Sequence, residues 1–227
     1  MNLKDYYEID SVQDNQFNEY MDLLLEWNNK MNLTAITEKD DIILKHFVDS
    51  LTIKKYIKKN SKVLDVGTGA GFPGIPLKIY DSSLDITLLD SLNKRINFLN
   101  EVIKKLNLYG INAIHGRAED IGRDKEYREK FDVVTSRAVA NLSVLLEYMI
   151  PFVKVNGICI CMKGNNVDDE LKNAKNAIKL LGGKVDKIDE INLPDSNIKR
   201  TIIIIKKVRE TSNKYPRNPG IPVKKPL

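Results

Sequence analysis

Cysteine is almost missing from this 227-residue chain. Cys159 and Cys161 are the only two, and they stand two apart in the apolar run Gly157-Ile-Cys-Ile-Cys-Met162. Strand alternation puts both on one face, where they read as small buried hydrophobes, and no further cysteine exists to complete a zinc set. Histidine is equally scarce: besides His46 there is only His115, with no second His or Cys at ligand spacing, so no metal is expected. Long apolar runs are lacking as well. Nothing approaches the roughly 18 consecutive apolar residues of a membrane span, and the opening Met1-Asn-Leu-Lys-Asp-Tyr-Tyr-Glu8 is too polar for a signal peptide. The expectation is a cytoplasmic chain with no membrane partner. There is no internal repeat and no low-complexity tract, and the length suits one α/β domain with an appendage better than two full domains.

A general basic excess is also absent, although the net charge is +5. Residues 206–227 hold seven bases against Glu210, a local +6, while the other 205 residues carry 29 bases and 30 acids. The tail Tyr215-Pro-Arg-Asn-Pro-Gly-Ile-Pro-Val-Lys-Lys-Pro-Leu227 has the Pro and Gly spacing of an extended segment. It reads either as a solvated terminus or as a strand of chain laid on the protein itself or on a phosphate backbone.

What is present is a glycine loop. Val63-Leu-Asp-Val-Gly-Thr-Gly-Ala-Gly-Phe-Pro-Gly-Ile-Pro76 reads as a buried strand running through Gly67, Gly69 and Gly71 into a helix start. Glycine allows the tight turn and lets backbone N–H groups approach a ligand. Pro73 and Pro76 fall where a first helical turn leaves N–H groups without partners anyway. Two ligand readings compete. Gly69-Ala-Gly-Phe-Pro-Gly74 fits G-x-G-x-x-G, the dinucleotide pattern, with Asp90 on a ribose. Asp65-x-Gly-x-Gly-x-Gly71 instead resembles motif I of the S-adenosylmethionine (SAM) methyltransferases. A carboxylate at the mouth would repel a pyrophosphate but favours the ammonium and sulfonium of SAM, so the second reading is preferred.

Around the loop the pattern alternates strand and helix. Amphipathic spacing predicts a helix over 13–31 with Phe17, Met21, Leu24 and Met31 near one face, and a second over about 40–56. Strands are predicted at 85–90, 111–115, 131–136 and 158–162, with helices over 91–108, 141–148 and 167–181. Two last strands, near 184–193 and 201–208, are too close for a crossover helix and predict an antiparallel hairpin. The expected fold class is α/β, a Rossmann-like class I SAM-dependent methyltransferase sheet of seven mostly parallel strands ending in that hairpin. The expected division is a helical N-terminal extension (1–60), the methyltransferase domain (61–208) and a basic Pro-rich tail (209–227).

Polar residues at the strand ends belong on one rim of such a sheet. Asp90 can accept from two ribose hydroxyls or serve as a helix cap. Gly116-Arg-Ala-Glu-Asp120 can meet an adenine edge or simply start a helix. Arg137, in Thr135-Ser-Arg-Ala138, ends the fourth strand where a transferable methyl would lie, and Lys163 ends the fifth. His46, Asp49 and Ser50 invite a hydrolase triad, but their spacing puts them side by side on one helix face, a polar face over the cleft.

These residues resemble the GidB/RsmG family of 16S ribosomal RNA guanine-N7 methyltransferases over nearly the whole length. The resemblance is carried by Trp27-Asn-x-x-x-Asn-Leu-Thr34, His46-x-x-Asp-Ser50, Asp65 through Pro76, Leu89-Asp-Ser-x-x-Lys-Arg95, Arg117-Ala-Glu119, Ser136-Arg-Ala138 and Lys163-Gly164. In the tail, Asn218 stands where a second Arg is usual in the family. The resemblance implies methylation of a guanosine in the 530 loop of 16S rRNA, position 527 in the usual rRNA numbering, in free RNA or in small ribosomal subunit particles. It implies SAM held by Asp65, Gly67, Thr68, Gly69, Gly71, Phe72, Asp90, Ala118, Glu119 and Arg137. RNA would be met by Arg95, Lys163, Arg217, Lys224 and Lys225. Guanine N7 carries a lone pair and no proton, so neither a general base nor a covalent nucleophile is required, and no catalytic residue is expected beyond Arg137 near the transfer site. Two rivals stay open: a methyltransferase of small molecules, and a non-enzymatic RNA-binding module on the same fold.

Overall fold

A computed structural model describes residues 1–137, 139–164 and 167–227. Helix α1 (Ser11–Met31) opens on a reciprocal cap: the Asp10 carboxylate accepts from the N–H groups of Val12 and Gln13, and the Gln13 side chain accepts from Asp10 N–H. It stops at Asn32, whose φ of 49° is left-handed. The second expected helix is in fact α2 (Lys39–Ile42), a π-helical stretch (Ile43–Val48) and α3 (Asp49–Leu51), followed by a separate 3-10 turn at Lys54–Tyr56.

The sheet then assembles from β1 (Lys62–Val66), β2 (Asp85–Asp90), β3 (Ile111–His115), β4 (Phe131–Arg137), β5 (Val153–Lys163), β6 (Gly183–Asn192) and β7 (Lys199–Lys207). Its order is β3-β2-β1-β4-β5-β7-β6, parallel as far as β5, with β7 antiparallel to both neighbours. Helices α4 (Gly74–Tyr80), α5 (Asn93–Lys105), α6 (Ala118–Ile121), α7 (Leu142–Met149) and α8 (Asp168–Leu181) supply the crossovers, and α9 (Ile221–Lys224) lies in the tail. Strand β5 starts five residues earlier than its apolar run predicts, because Val153 already pairs with Phe131 and residues 154–157 bulge out before Ile158 pairs with Val133.

Alternation divides the core into two layers. Val63, Ile86, Leu88, Ile160, Met162, Ile202 and Ile204 face α1, the π-helical stretch, α4 and α5. Leu64, Val66, Cys159, Cys161, Ile203 and Ile205 face α7 and α8. Each such fully buried aliphatic side chain contributes about 1.5–3 kcal/mol. Residues 1–60 are woven into the first layer through Leu3, Phe17, Tyr20, Leu24, Phe47 and Ile53. Both cysteines share the other face, buried and unbonded to each other. Among the described residues no helix is long and apolar enough to cross a membrane.

Candidate active site

At the end of β1 the chain turns through left-handed glycines, φ +67° at Gly67, +62° at Gly69 and +99° at Gly71. They differ in purpose. A Cβ on Gly71 would lie 2.5 Å from Cδ1 of Ile75 and 2.8 Å from the Tyr20 hydroxyl, whereas one on Gly69 would meet nothing within 4 Å. Gly71 is therefore glycine for packing, and Gly69, lacking a side chain, leaves room in the cavity it lines. The loop is held from several sides. The N–H groups of Gly67 and Thr68 donate to the Leu89 carbonyl at 2.8 and 3.2 Å, and the buried Tyr20 of α1 donates to the Ala70 carbonyl at 2.5 Å.

Asp65 is not at the mouth of the cleft. It lies fully buried under the loop, where its Oδ2 accepts from the Thr68 hydroxyl at 2.7 Å and from Gly74 N–H at 2.9 Å. Burial pushes its pKa up to about 6 against the pull of those two bonds and of Arg137. Its other oxygen, Oδ1, has no hydrogen-bond partner among the described residues.

Two cavities, of about 210 and 410 Å3, share Gly67, Asp90, Ser91 and Val139 and form one cleft along the carboxyl rim of the sheet. Gly116 through Glu119 and Tyr148 enclose the smaller. Thr68, Gly69, Phe72, Arg95 and Arg137 enclose the larger, with Leu33, Thr34 and His46 brought in from the N-terminal segment. Asp90 at the junction is held by the protein itself: Oδ2 accepts from Gly69 N–H at 2.9 Å, Oδ1 from Leu92 N–H at 3.0 Å just ahead of α5, and Arg95 pairs with it at 3.2 Å.

Arg137 is the node of the larger cavity. One terminal nitrogen donates to the Lys45 carbonyl at 3.1 Å and to Asp49 Oδ2 at 3.2 Å, the other to Nδ1 of His46 at 3.0 Å. Its guanidinium carbon lies 4.9 Å from the centre of the Phe72 ring, on which His46 stacks at 4.3 Å. The π-helical register presents the Lys45 carbonyl and His46 to Arg137, with Asp49 just beyond it. Asp49, buried, also accepts from Nε of Arg200 at 3.0 Å, which joins the hairpin to the same node. Ser50 instead donates to the carbonyl of His46, so His46, Asp49 and Ser50 form no relay of the hydrolase kind. Ala138, the last residue of the Ser-Arg-Ala motif, lies outside the described residues.

Of the five cations expected to meet RNA, Arg95 pairs with Asp90 and the other four separate into two groups. Lys163 is nearly buried, 2.7 Å from Glu170 and 2.6 Å from the carbonyl of Ala140. Arg217 is clamped on the buried Glu147 of α7 through Nε, its second terminal nitrogen and its backbone N–H. Lys224 and Lys225 are exposed. The tail is thus laid on the protein: Arg128 donates to the carbonyls of Thr211 and Tyr215, Arg123 to that of Pro216, and Gly220 N–H to Glu119 Oε1 at 3.2 Å, beside the smaller cavity. Tyr148 and Val139 are wall residues that sequence reasoning misses. Each sits in an ordinary apolar context, and no pattern distinguishes them from core.

The cleft on the carboxyl rim and the 3-2-1-4-5-7-6 sheet define a class I SAM-dependent methyltransferase fold. Solved structures agree: a SAM-dependent methyltransferase from Aquifex aeolicus superposes with a TM-score of 0.57 at 17% identity, covering 80% of this chain and 97% of that one. M. jannaschii TYW2 in complex with AdoMet gives 0.54 at 17% identity, with 70% and 77% covered. Sequence narrows the class. Residues 13–201 match the GidB family, rRNA small subunit methyltransferase G. The ribosomal RNA small subunit methyltransferase G of Acetivibrio thermocellus is 56% identical over 220 residues, covering 96% of this chain and 90% of that protein. Its counterpart in Alkaliphilus metalliredigens is 52% identical over 223 residues, covering 97% and 93%. The chain belongs to the GidB family of rRNA small subunit methyltransferases.

Proposed function

We propose that this protein binds SAM in the two-part cleft and methylates N7 of a guanosine in the 530 loop of 16S rRNA, at position 527, either in free RNA or in small-subunit particles. The observation that carries the reading is the open space over Gly69 beside the Asp90 junction, in a chain of this family. The residues suit the cofactor. The smaller cavity, with a carboxylate at its entrance and a backbone edge at Gly116 to Glu119, suits an adenosine; the buried, half-satisfied Asp65 lends negative potential to a site for a cationic group.

When bound, SAM supplies an electrophilic methyl on a positively charged sulfur. Guanine N7 forms the new bond with its own lone pair as the carbon–sulfur bond breaks, so no proton moves at N7. The protein's contribution is to hold the two reactants in line and keep water out, which supplies on the order of 7 kcal/mol. Arg137, Phe72 and His46 form a rigid wall for this purpose. Exposed Lys224 and Lys225 offer phosphate contacts.

Incubation with labelled SAM and small ribosomal particles from cells lacking the protein, followed by mapping of the labelled base, tests the reading. Label at N7 of a guanosine in the 530 loop is expected. Label in another RNA site, in protein or in a metabolite would overturn it.

A further inference from the structure

The hydrogen bonds of the Arg137 node run in one direction. A guanidinium has no acceptor, so the nitrogen of Arg137 that lies 3.0 Å from Nδ1 of His46 must donate. His46 is then neutral with its proton on Nε2, in agreement with burial and the Arg137 charge, which push its pKa down to about 3. That Nε2–H donates to Oγ1 of Thr34 at 2.9 Å, and the N–H of Ile36 donates to the same oxygen at 3.0 Å. A hydroxyl oxygen has two lone pairs, and both are taken. What remains is the hydroxyl hydrogen. Thr34 lines the larger cavity, and no acceptor for that hydrogen is found among the described residues. Most threonine hydroxyls choose freely between donating and accepting. This one can only donate.

We infer that Thr34 determines base specificity: its hydroxyl donates to O6 of the guanine whose N7 is methylated. O6 is the acceptor flanking N7 on that edge of guanine, whereas adenine carries an N6 amino donor at the same position. Adenine would meet Thr34 donor to donor. The hydroxyl cannot rotate to accept from it, because Arg137 and His46 fix the polarity of the chain. The inference rests on the guanine-N7 reading above and adds the selector of the base to it.

The test compares the parent protein, Thr34→Val and Thr34→Ser on reconstituted small-subunit particles whose target position holds either guanine or 2-aminopurine, which keeps N7 but lacks O6. Loss of O6 weakens N7 as a nucleophile for every variant alike, and beyond that shared cost it is expected to cost the parent protein and Thr34→Ser roughly 10- to 100-fold more in kcat/KM than it costs Thr34→Val. A merely structural role through His46 would slow Thr34→Val on both bases by one factor and leave its preference for guanine unchanged, which would overturn the inference. So would a tenfold loss of SAM affinity in Thr34→Val, by calorimetry, with base preference intact. If the parent protein methylates neither particle, the guanine-N7 reading itself falls, a result distinguishable from the others.

Discussion

Replacing Arg217 with alanine asks whether the basic tail is a strap or a free arm. The Arg217 guanidinium meets Glu147 through Nε at 2.9 Å and a terminal nitrogen at 2.7 Å, and its backbone N–H reaches the same carboxylate at 2.8 Å. Glu147 is fully buried, and removing one partner of a buried pair costs about 3–5 kcal/mol. The Arg217 side chain keeps 24% of its surface in solvent and the backbone bond survives the substitution, so the expected cost is nearer to about 2–3 kcal/mol. In a chain of this length that is a fall in Tm of roughly 4–12 °C. Urea unfolding of the parent, Arg217→Ala, Glu147→Gln and the double variant should show the double costing less than the sum of the singles, since each single strands the other partner. A cost of Arg217→Ala below about 0.5 kcal/mol, with an additive double variant, would refute the strap. The same geometry means that truncation after Lys207 is no clean probe of RNA binding, because it strips Arg128 of its carbonyl partners in the tail and Glu119 of Gly220.

Arg137→Ala should lower SAM binding or turnover severely, but not with the fold untouched: Asp49 would keep Arg200 alone, and a loss of about 3 kcal/mol is expected in the same unfolding assay. Unchanged methyl transfer would refute the role in the site. Gly69→Ala should cost only the roughly 1–2 kcal/mol of a left-handed alanine while weakening SAM binding, and Gly71→Ala should cost more, since its Cβ collides with Ile75 and Tyr20; equal losses would contradict the division of labour. Asp65 has a folded pKa above that of an unfolded aspartate, so its contribution to stability is complete below about pH 4 and is lost as pH rises through about 6, on the order of 3 kcal/mol in all. Asp65→Asn should remove that fall from the stability–pH profile, and a difference profile flat across that window would count against it. Lys224→Ala with Lys225→Ala should reduce the salt dependence of RNA binding by about 1–2 in the log–log slope, whereas Arg217→Ala should leave the slope as it is.

The strands and the glycine loop are legible because their signals are local: β2 and β3 fall on the residues that alternation marks, and the short link between β6 and β7 forces a hairpin. What escapes is non-local. Basic residues at 217 and 163 look alike in a sequence, yet each finds its acid through the fold, Arg217 on a helix 70 positions earlier and Lys163 on the next helix. The strand-end aspartate Asp65 reads as facing a ligand, but the loop closes over it. The helix expected over 40–56 begins where the pattern places it and departs in its register, since periodicity does not distinguish a π-helical turn from an α-helical one.

That π-helical turn spends one residue more than an α-helix needs for the same advance. Losing a single residue from 43–48 would let the stretch relax to an α-helix with the turns on either side left in place, so the Lys45 carbonyl and the His46 ring inside it would be re-aimed away from Arg137 while Asp49 kept its position. The surplus residue is what aims a carbonyl and an imidazole at one guanidinium: a chain one residue shorter would keep the helix and lose two of the partners of Arg137.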